Sequence, residues 1–214
     1  MCSSDLDKFR LGLFDNPYVD PNVAEQTVGN PEFRKMGELA QRKSIVLIKN
    51  DKGILPLRGD VKIYVKNINP ETASRYGRVV RNLSDADIAV LRLNTPYEKR
   101  KGLLEGFFHA GDLDFKGKEK KHILDVMSHI PTVVDIYLER PAVIPEIAEQ
   151  SAAILVNFGA SDEAVLDVIF GKFTPQGKLP FELPASMEAV RRQKEDVPYD
   201  SENPLYPFGH GLTY

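Results

Sequence analysis

Short apolar, β-branched runs alternate along the chain with stretches of helical spacing. Val61-Lys62-Ile63-Tyr64-Val65 predicts a strand, residues 87–93 a buried one, and 132–138 and 153–158 two more. Between them, 70–82, 116–129 (through Ile123, Val126 and Met127), 144–150 and 161–170 predict helices, the last capped by Ser161 and closed by Gly171. Upstream, Phe33, Met36, Leu39 and Ala40 mark a helix through Ser44 towards Leu47, with Asn30 as N-cap and Pro31 as first residue. Residues 9–30, rich in Asn, Asp, Gly and Pro, predict extended turns, and Asn50-Asp51-Lys52-Gly53 a tight one before Leu55-Pro56-Leu57. Strand alternating with helix implies an α/β fold: a mostly parallel sheet with helices on both faces, an α/β sandwich. Such sheets place their ligand crevice outside the carboxyl ends of the strands, so the segments leaving those ends are where chemistry is sought.

Composition narrows the classes. The chain has 214 residues, and 28 Lys+Arg against 31 Asp+Glu give a net charge of −3. No basic field exists to hold nucleic acid or an anionic membrane, and no apolar run approaches the ~20 residues of a membrane-spanning helix. One cysteine excludes an internal disulfide and a cysteine-built metal cage. Four histidines, none in an HExxH pattern, offer no histidine-rich zinc site, and no metal or cofactor is expected. His122 and His129 lie two turns apart on one helix with no carboxylate completing a ligand set.

Three apparent motifs fail. Gly171-Lys172-Phe173-Thr174-Pro175-Gln176-Gly177-Lys178 has one residue too many for a phosphate loop, a proline inside it and Leu179 where Ser or Thr is needed. Gly209-His210-Gly211 lacks the third glycine of a dinucleotide fingerprint. Ser161 has Gly159 before it but no glycine after it to make a nucleophile elbow.

The start Met1-Cys2-Ser3-Ser4-Asp5-Leu6 has neither the basic n-region nor the apolar h-region of a signal peptide. Back-translated as GTG-TGC-TCT-TCC-GAT-CT, it matches a common sequencing-adapter end. The expectation is that 1–6 are non-native and that the gene continues upstream.

The long segment 94–115, after the strand 87–93, mixes aromatics, carboxylates, basic groups and glycines. Sugar sites use that mix, with aromatic faces for C–H stacking, charged groups for hydroxyls and a carboxylic acid for proton transfer. A solvated loop packing its aromatics on the sheet would share the composition.

Several stretches together carry a resemblance. They are Ala40-Gln41-Arg42-Lys43-Ser44-Ile45-Val46-Leu47-Ile48-Lys49-Asn50, read as a helix ending in lysine and asparagine, then Leu55-Pro56-Leu57 and Ser84-Asp85-Ala86-Asp87. Further on come 171–184 (GKFTPQGKLPFELP) and the ending Tyr206-Pro207-Phe208-Gly209-His210-Gly211-Leu212-Thr213-Tyr214. From Phe9 onward the chain resembles the C-terminal α/β sandwich domain of glycoside hydrolase family 3, the β-glucosidase and β-xylosidase group. Phe9-Arg10-Leu11-Gly12-Leu13-Phe14-Asp15-Asn16-Pro17-Tyr18 is similar to the linker that leaves that family's preceding (β/α)8 barrel. The resemblance thus implies residues 7–58 as interdomain linker and leading helix, and 59–214 as the sandwich with a C-terminal extended segment. It implies a missing barrel, bearing the aspartate nucleophile, as the chain's partner, and a β-linked oligosaccharide or glycoside as substrate.

It also implies a retaining mechanism whose acid/base glutamate comes from the loop after the second strand of this domain, here 94–115. Two glutamates compete. Glu105 lies among Leu104, Gly106, Phe107 and Phe108, an apolar setting that would keep a carboxyl protonated. Glu98 follows Thr95-Pro96-Tyr97, similar to a Pro-Tyr segment before the acid/base in some members but offset by one residue, and its neighbours Lys99 and Arg100 act in the wrong direction. Glu105 is favoured and Glu98 remains the alternative, with His109 and Phe108 as substrate contacts. Asp112 and Asp114 read as a turn and a strand edge, Gly209 and Gly211 as a tight turn, and Tyr206 with Phe208 as a C-terminal anchor. The competing class is a stand-alone carbohydrate-binding or interaction module without catalysis.

Overall fold

In the computed structural model, which describes residues 3–98, 102 and 107–214, the chain forms two compact units, Met1–Glu38 and Leu39–Tyr214. The smaller unit holds α1 (Ser3–Arg10), α2 (Pro21–Thr27) and the start of α3 (Pro31–Ser44). Helix α2 falls where turns are expected. Asp20 caps it by accepting from Asn22 N at 2.9 Å, and Pro21 opens its first turn. Helix α3 starts as expected, with Asn30 Oδ1 accepting from Phe33 N at 2.9 Å.

The larger unit contains β1 (Val46–Asn50), β2 (Lys62–Lys66), α4 (Pro70–Ala73), β3 (Arg78–Val80) and β4 (Ile88–Asn94). After these come α5 (Gly117–His129), β5 (Thr132–Tyr137), α6 (Pro145–Gln150), β6 (Ala153–Asn157), α7 (Asp162–Ile169) and α8 (Met187–Arg192). The strands make one six-stranded sheet in the order β1-β6-β5-β4-β2-β3. Every pair is parallel except β1 with β6.

Period-two alternation puts helices on both faces. Ala89, Leu91 and Leu93 of β4 join Ile154 and Val156 of β6 under Ile123, Val126 and Met127 of α5 and Ile147 of α6. Ile88, Val90, Ala153 and Leu155 face the other way, against Ala73 of α4 and Val165, Val168 and Ile169 of α7. Central strands buried on both faces need continuous apolar runs, which is why they are legible.

Two expectations need correction. The helix read towards Leu47 stops at Ser44, and Val46–Asn50 is a strand pairing Val46 with Val156. Ile45 to Ile48 are all essentially inaccessible. A run buried on both sides suits a sheet interior better than an amphipathic helix. This strand belongs to the larger unit, Leu39–Tyr214. The helix expected over 70–82 is one turn, ending before Gly77, and Val79-Val80 pair beside β2.

Several residues that carry the resemblance serve as clasps. Lys49, at the end of β1, donates to Ala148 O at 2.5 Å and Ser151 O at 2.6 Å, satisfying carbonyls at the end of α6. Asn50 brackets Leu55, accepting from its N at 2.9 Å and donating to its O at 3.0 Å. Leu179 N donates to His210 O, and the His210 ring bonds Ile48 O, both at 2.8 Å. Tyr206 packs on the core as expected, but Phe208 is exposed and leans at a tilt against Tyr199, with ring centroids 4.3 Å apart.

Candidate functional site

The sheet register builds the site. Asn94 and Tyr137 are the last paired residues of β4 and β5, so the segments leaving both strands start side by side. Thr95 ties them, donating from both N and Oγ1 to Tyr137 O at 3.1 and 2.7 Å. The chain then runs out through Glu98 and returns at Ala110, where Glu98 N donates to Ala110 O at 2.8 Å. Arg140 Nη2 pins the returning limb through Gly111 O at 2.5 Å. Gly111 has φ +89, and a Cβ there would fall 2.7 Å from Glu98 Cβ, so only glycine lets the two limbs lie this close.

A cleft of about 460 Å³ opens at the carboxyl end of β4, lined by Tyr97, Glu98, Asp112, Asp114, Lys116 and Glu119 among others. Lys116 is its cationic hub. It pairs with Asp112 and lies 3.5 Å from Asp114 Oδ1 and 4.0 Å from Glu98 Oε1. Its hydrogen bond holds the Asp112 carboxyl below the usual range, assisted by Arg191 3.3 Å away, and Asp112 in turn raises the ammonium. Among the described residues the lining carries four carboxylates and one ammonium, with the Arg191 guanidinium on Asp112 beside it, so the cleft is rich in acceptors for hydroxyl donors. Among the described residues, no three His, Cys, Asp or Glu side chains converge to hold a metal ion.

The residues singled out by sequence are distributed unevenly. Glu98 lines the cleft, with its side chain 60% exposed. Glu105 lies outside the described residues. Phe107 and Phe108 are both strongly exposed, beside the returning limb. The His109 ring stacks on Tyr97, with centroids 3.7 Å apart and planes 12° off parallel, and its Nδ1 bonds Glu139 Oε1. Asp112 lies in irregular chain just after the bend at Gly111, Asp114 bridges Val143, and both line the cleft. Sequence reasoning passed over Lys116, read only as the start of a helix, and over Glu139 and Arg140 on the neighbouring strand's exit. The Glu-Arg pair directly after a buried strand was the available signal.

Beneath the site, Arg92 of β4 sits 3.2 Å from Asp135 Oδ2 and 2.5 Å from Asp162 Oδ1. Asp135 is completely buried and accepts from Asn157 Nδ2 at 2.8 Å. Burial pushes its carboxyl up to about 6, against the lowering by Arg92 and Asn157. Asn157 Oδ1 receives Gly159 N and Ala160 N at 3.0 Å, so the network also fixes the exit of β6.

The family model for the glycosyl hydrolase family 3 C-terminal domain matches residues 67–214. The chain is 49% identical to the β-glucosidase C of Emericella nidulans, over 97% of this chain and 34% of that protein. It is 38% identical to a periplasmic β-glucosidase/β-xylosidase of Dickeya chrysanthemi, over 97% of this chain and 32% of that one. It thus spans about a third of the length of these curated relatives. Among solved structures, a β-glucosidase from Erythrobacter marinus superposes with a TM-score of 0.78 at 21% identity, covering 96% of this chain and 38% of that one. The β-glucosidase of Listeria innocua gives 0.75 at 22% identity, covering 97% and 37%. At such identities the likeness shows the fold.

Proposed function

The chain belongs to the glycosyl hydrolase family 3 C-terminal domain family, and on that premise we propose that it is the second domain of a retaining exo-β-glycosidase of the β-glucosidase/β-xylosidase kind. In this reading it lends an acid/base loop to a preceding (β/α)8 barrel that carries an aspartate nucleophile. The nucleophile attacks the anomeric carbon while a carboxyl group from the loop protonates the departing oxygen. The resulting carboxylate then takes a proton from the water that cleaves the glycosyl-enzyme, so configuration is retained. The two groups must stand about 5–5.5 Å apart.

The observation that carries this reading is the carboxylate-lined cleft at the carboxyl end of β4, bounded by a loop inside the family match. Its carboxylates accept from sugar hydroxyls, and exposed Tyr97, Phe107 and Phe108 offer faces to sugar C–H groups. Glu105 is the first candidate for the acid/base and Glu98 the alternative. Helix α3 buries none of its residues although Phe33, Met36 and Leu39 line it, which suits a segment that packs on another domain.

The test is a chimaera in which this chain replaces the matching third of the Emericella nidulans β-glucosidase C. It should hydrolyse aryl β-glucosides, and the chain alone should not. Glu105→Gln should slow substrates with poor leaving groups far more than dinitrophenyl glycosides, which need little protonation. Azide should then restore turnover and yield the β-glycosyl azide. The same pattern in Glu98→Gln instead moves the role to Glu98, and in neither it removes the acid/base from this loop. A binding module without catalysis would bind cellobiose unaided and leave the chimaera inactive.

A further inference from the structure

We propose that Glu139 is a positioning residue that fixes His109 as the Nδ1–H tautomer, so that Nε2 is presented as an acceptor to a hydroxyl of the β-glycoside. The inference rests on the sugar-site reading above and adds to it a residue from a different strand and a definite protonation pattern.

The contacts that define the arrangement come from three pieces of backbone. Tyr97 is on the outgoing limb of the β4 loop, His109 on its returning limb, and Glu139 on the exit of β5. All three are referenced to one origin: Thr95 bonds Tyr137 O, Glu98 N bonds Ala110 O, and Arg140 bonds Gly111 O. With those limbs pinned, the imidazole lies with its face against Tyr97 and its Nδ1 on the Glu139 carboxylate.

A carboxylate oxygen accepts and cannot donate, so the nitrogen facing it carries the proton. A neutral imidazole has one such proton, which leaves a lone pair on Nε2. Among the described residues no partner meets Nε2. The two side chains are 38% and 30% exposed, open enough for a ligand and enclosed enough to hold a geometry. Sugar hydroxyls are donors as well as acceptors. His109 stacks on Tyr97, which lines the cleft, and beside the four carboxylates of that lining a neutral acceptor adds a hydrogen bond without adding negative charge.

The test begins with the chain itself, labelled with ¹⁵N. Long-range ¹H–¹⁵N spectra report which ring nitrogen is protonated, with His109 assigned by the signals lost in His109→Gln. At a pH where the same spectra show a neutral ring, the proton should be on Nδ1. Glu139→Ala should spread it over both nitrogens, whereas Glu139→Gln, whose amide oxygen still accepts, should keep it on Nδ1. In the chimaera, Glu139→Ala should raise KM for cellobiose about tenfold with kcat little changed, and Glu139→Gln should restore most of the loss. A proton on Nε2 in the wild type, or an unchanged tautomer in Glu139→Ala, overturns the positioning role. An active chimaera whose KM ignores Glu139→Ala overturns the substrate contact and leaves the glycosidase reading intact. An inactive chimaera fails that reading instead, and the ring spectra then decide the role of Glu139.

Discussion

Asp135→Asn isolates the charge buried beneath the site. Asp135 has no exposed surface, and burial lifts its carboxyl from 3.8 to about 6 despite Arg92 at 3.2 Å and Asn157 at 2.8 Å. A folded value above the unfolded one means that the native state holds the proton more tightly. The associated stability is therefore fully present below about pH 4, falls as pH rises, and is gone above about pH 6. A rise from 3.8 to about 6 corresponds to about 3 kcal/mol. Asparagine mimics the protonated carboxyl, keeps an acceptor for Asn157 and does not titrate. Every other ionisable group is shared between the two proteins, so the difference between them isolates Asp135. The stability of Asp135→Asn minus that of wild type should rise by about 2.4 kcal/mol from pH 4 to pH 7, whatever its value at pH 4. In melting temperature the gap should move by about 5–10 °C for a unit of this size. Urea unfolding followed by far-ultraviolet circular dichroism at both pH values measures it. Parallel profiles would mean that Arg92 keeps Asp135 ionised throughout, and the reasoning from desolvation would be refuted.

Two further substitutions probe the clasps. Lys49→Met should leave the α6 carbonyls of Ala148 and Ser151 without their donor and cost about 2 kcal/mol, a melting-point loss of several degrees that Lys49→Arg should partly recover. Gly177→Ala should be worse, because its Cβ would lie 2.5 Å from Ile45 O, in backbone that cannot move without disturbing β1. Amide exchange at Leu212, whose N donates to Leu47 O at 2.7 Å, should accelerate in that variant before global stability is lost.

The elements legible in the sequence were those whose local pattern and tertiary role agree. Strands β4, β5 and β6 are apolar on both faces because helices cover both, and α7 carries its cap in Ser161, which accepts from Ala164 N at 3.2 Å. Where pattern and role diverge, reading fails. Ile45 to Ile48 follow α3 with no glycine or proline between, so helical spacing extrapolates smoothly into them. Only pairing with β6, more than a hundred residues later, makes them a strand. The Val79-Val80 pair is too short to announce β3 without β2 beside it. Helix α2 did carry a local signal, Asp20 before Pro21, but it sat inside a stretch otherwise full of turn residues.

The site divides along the same line, and the division explains why the family was recognisable while much of the site was not. Lys49, Asn50, Lys178, Leu179 and His210, which carried the resemblance, hold the β1 edge to α6 and to the C-terminal segment, so they answer to the fold. The cluster beside the cleft answers to the β4–β5 register. That register sets Asn94 beside Tyr137 and so brings Tyr97, His109 and Glu139 together from positions that no sequence window contains. A single residue's slip between these strands would reverse which side chains face each helix layer. It would also carry Glu139 away from His109. The buried Arg92–Asp135 pair spans the same two strands, with Arg92 opposite Asp135 in the ladder. An ion pair that deep contributes little net stability, but a shifted register would strand both charges without partners, at a cost of several kcal/mol. The pair therefore acts against misregistration, and what it protects is the alignment of the β4 loop, which lines the cleft, with the β5 exit that carries Glu139.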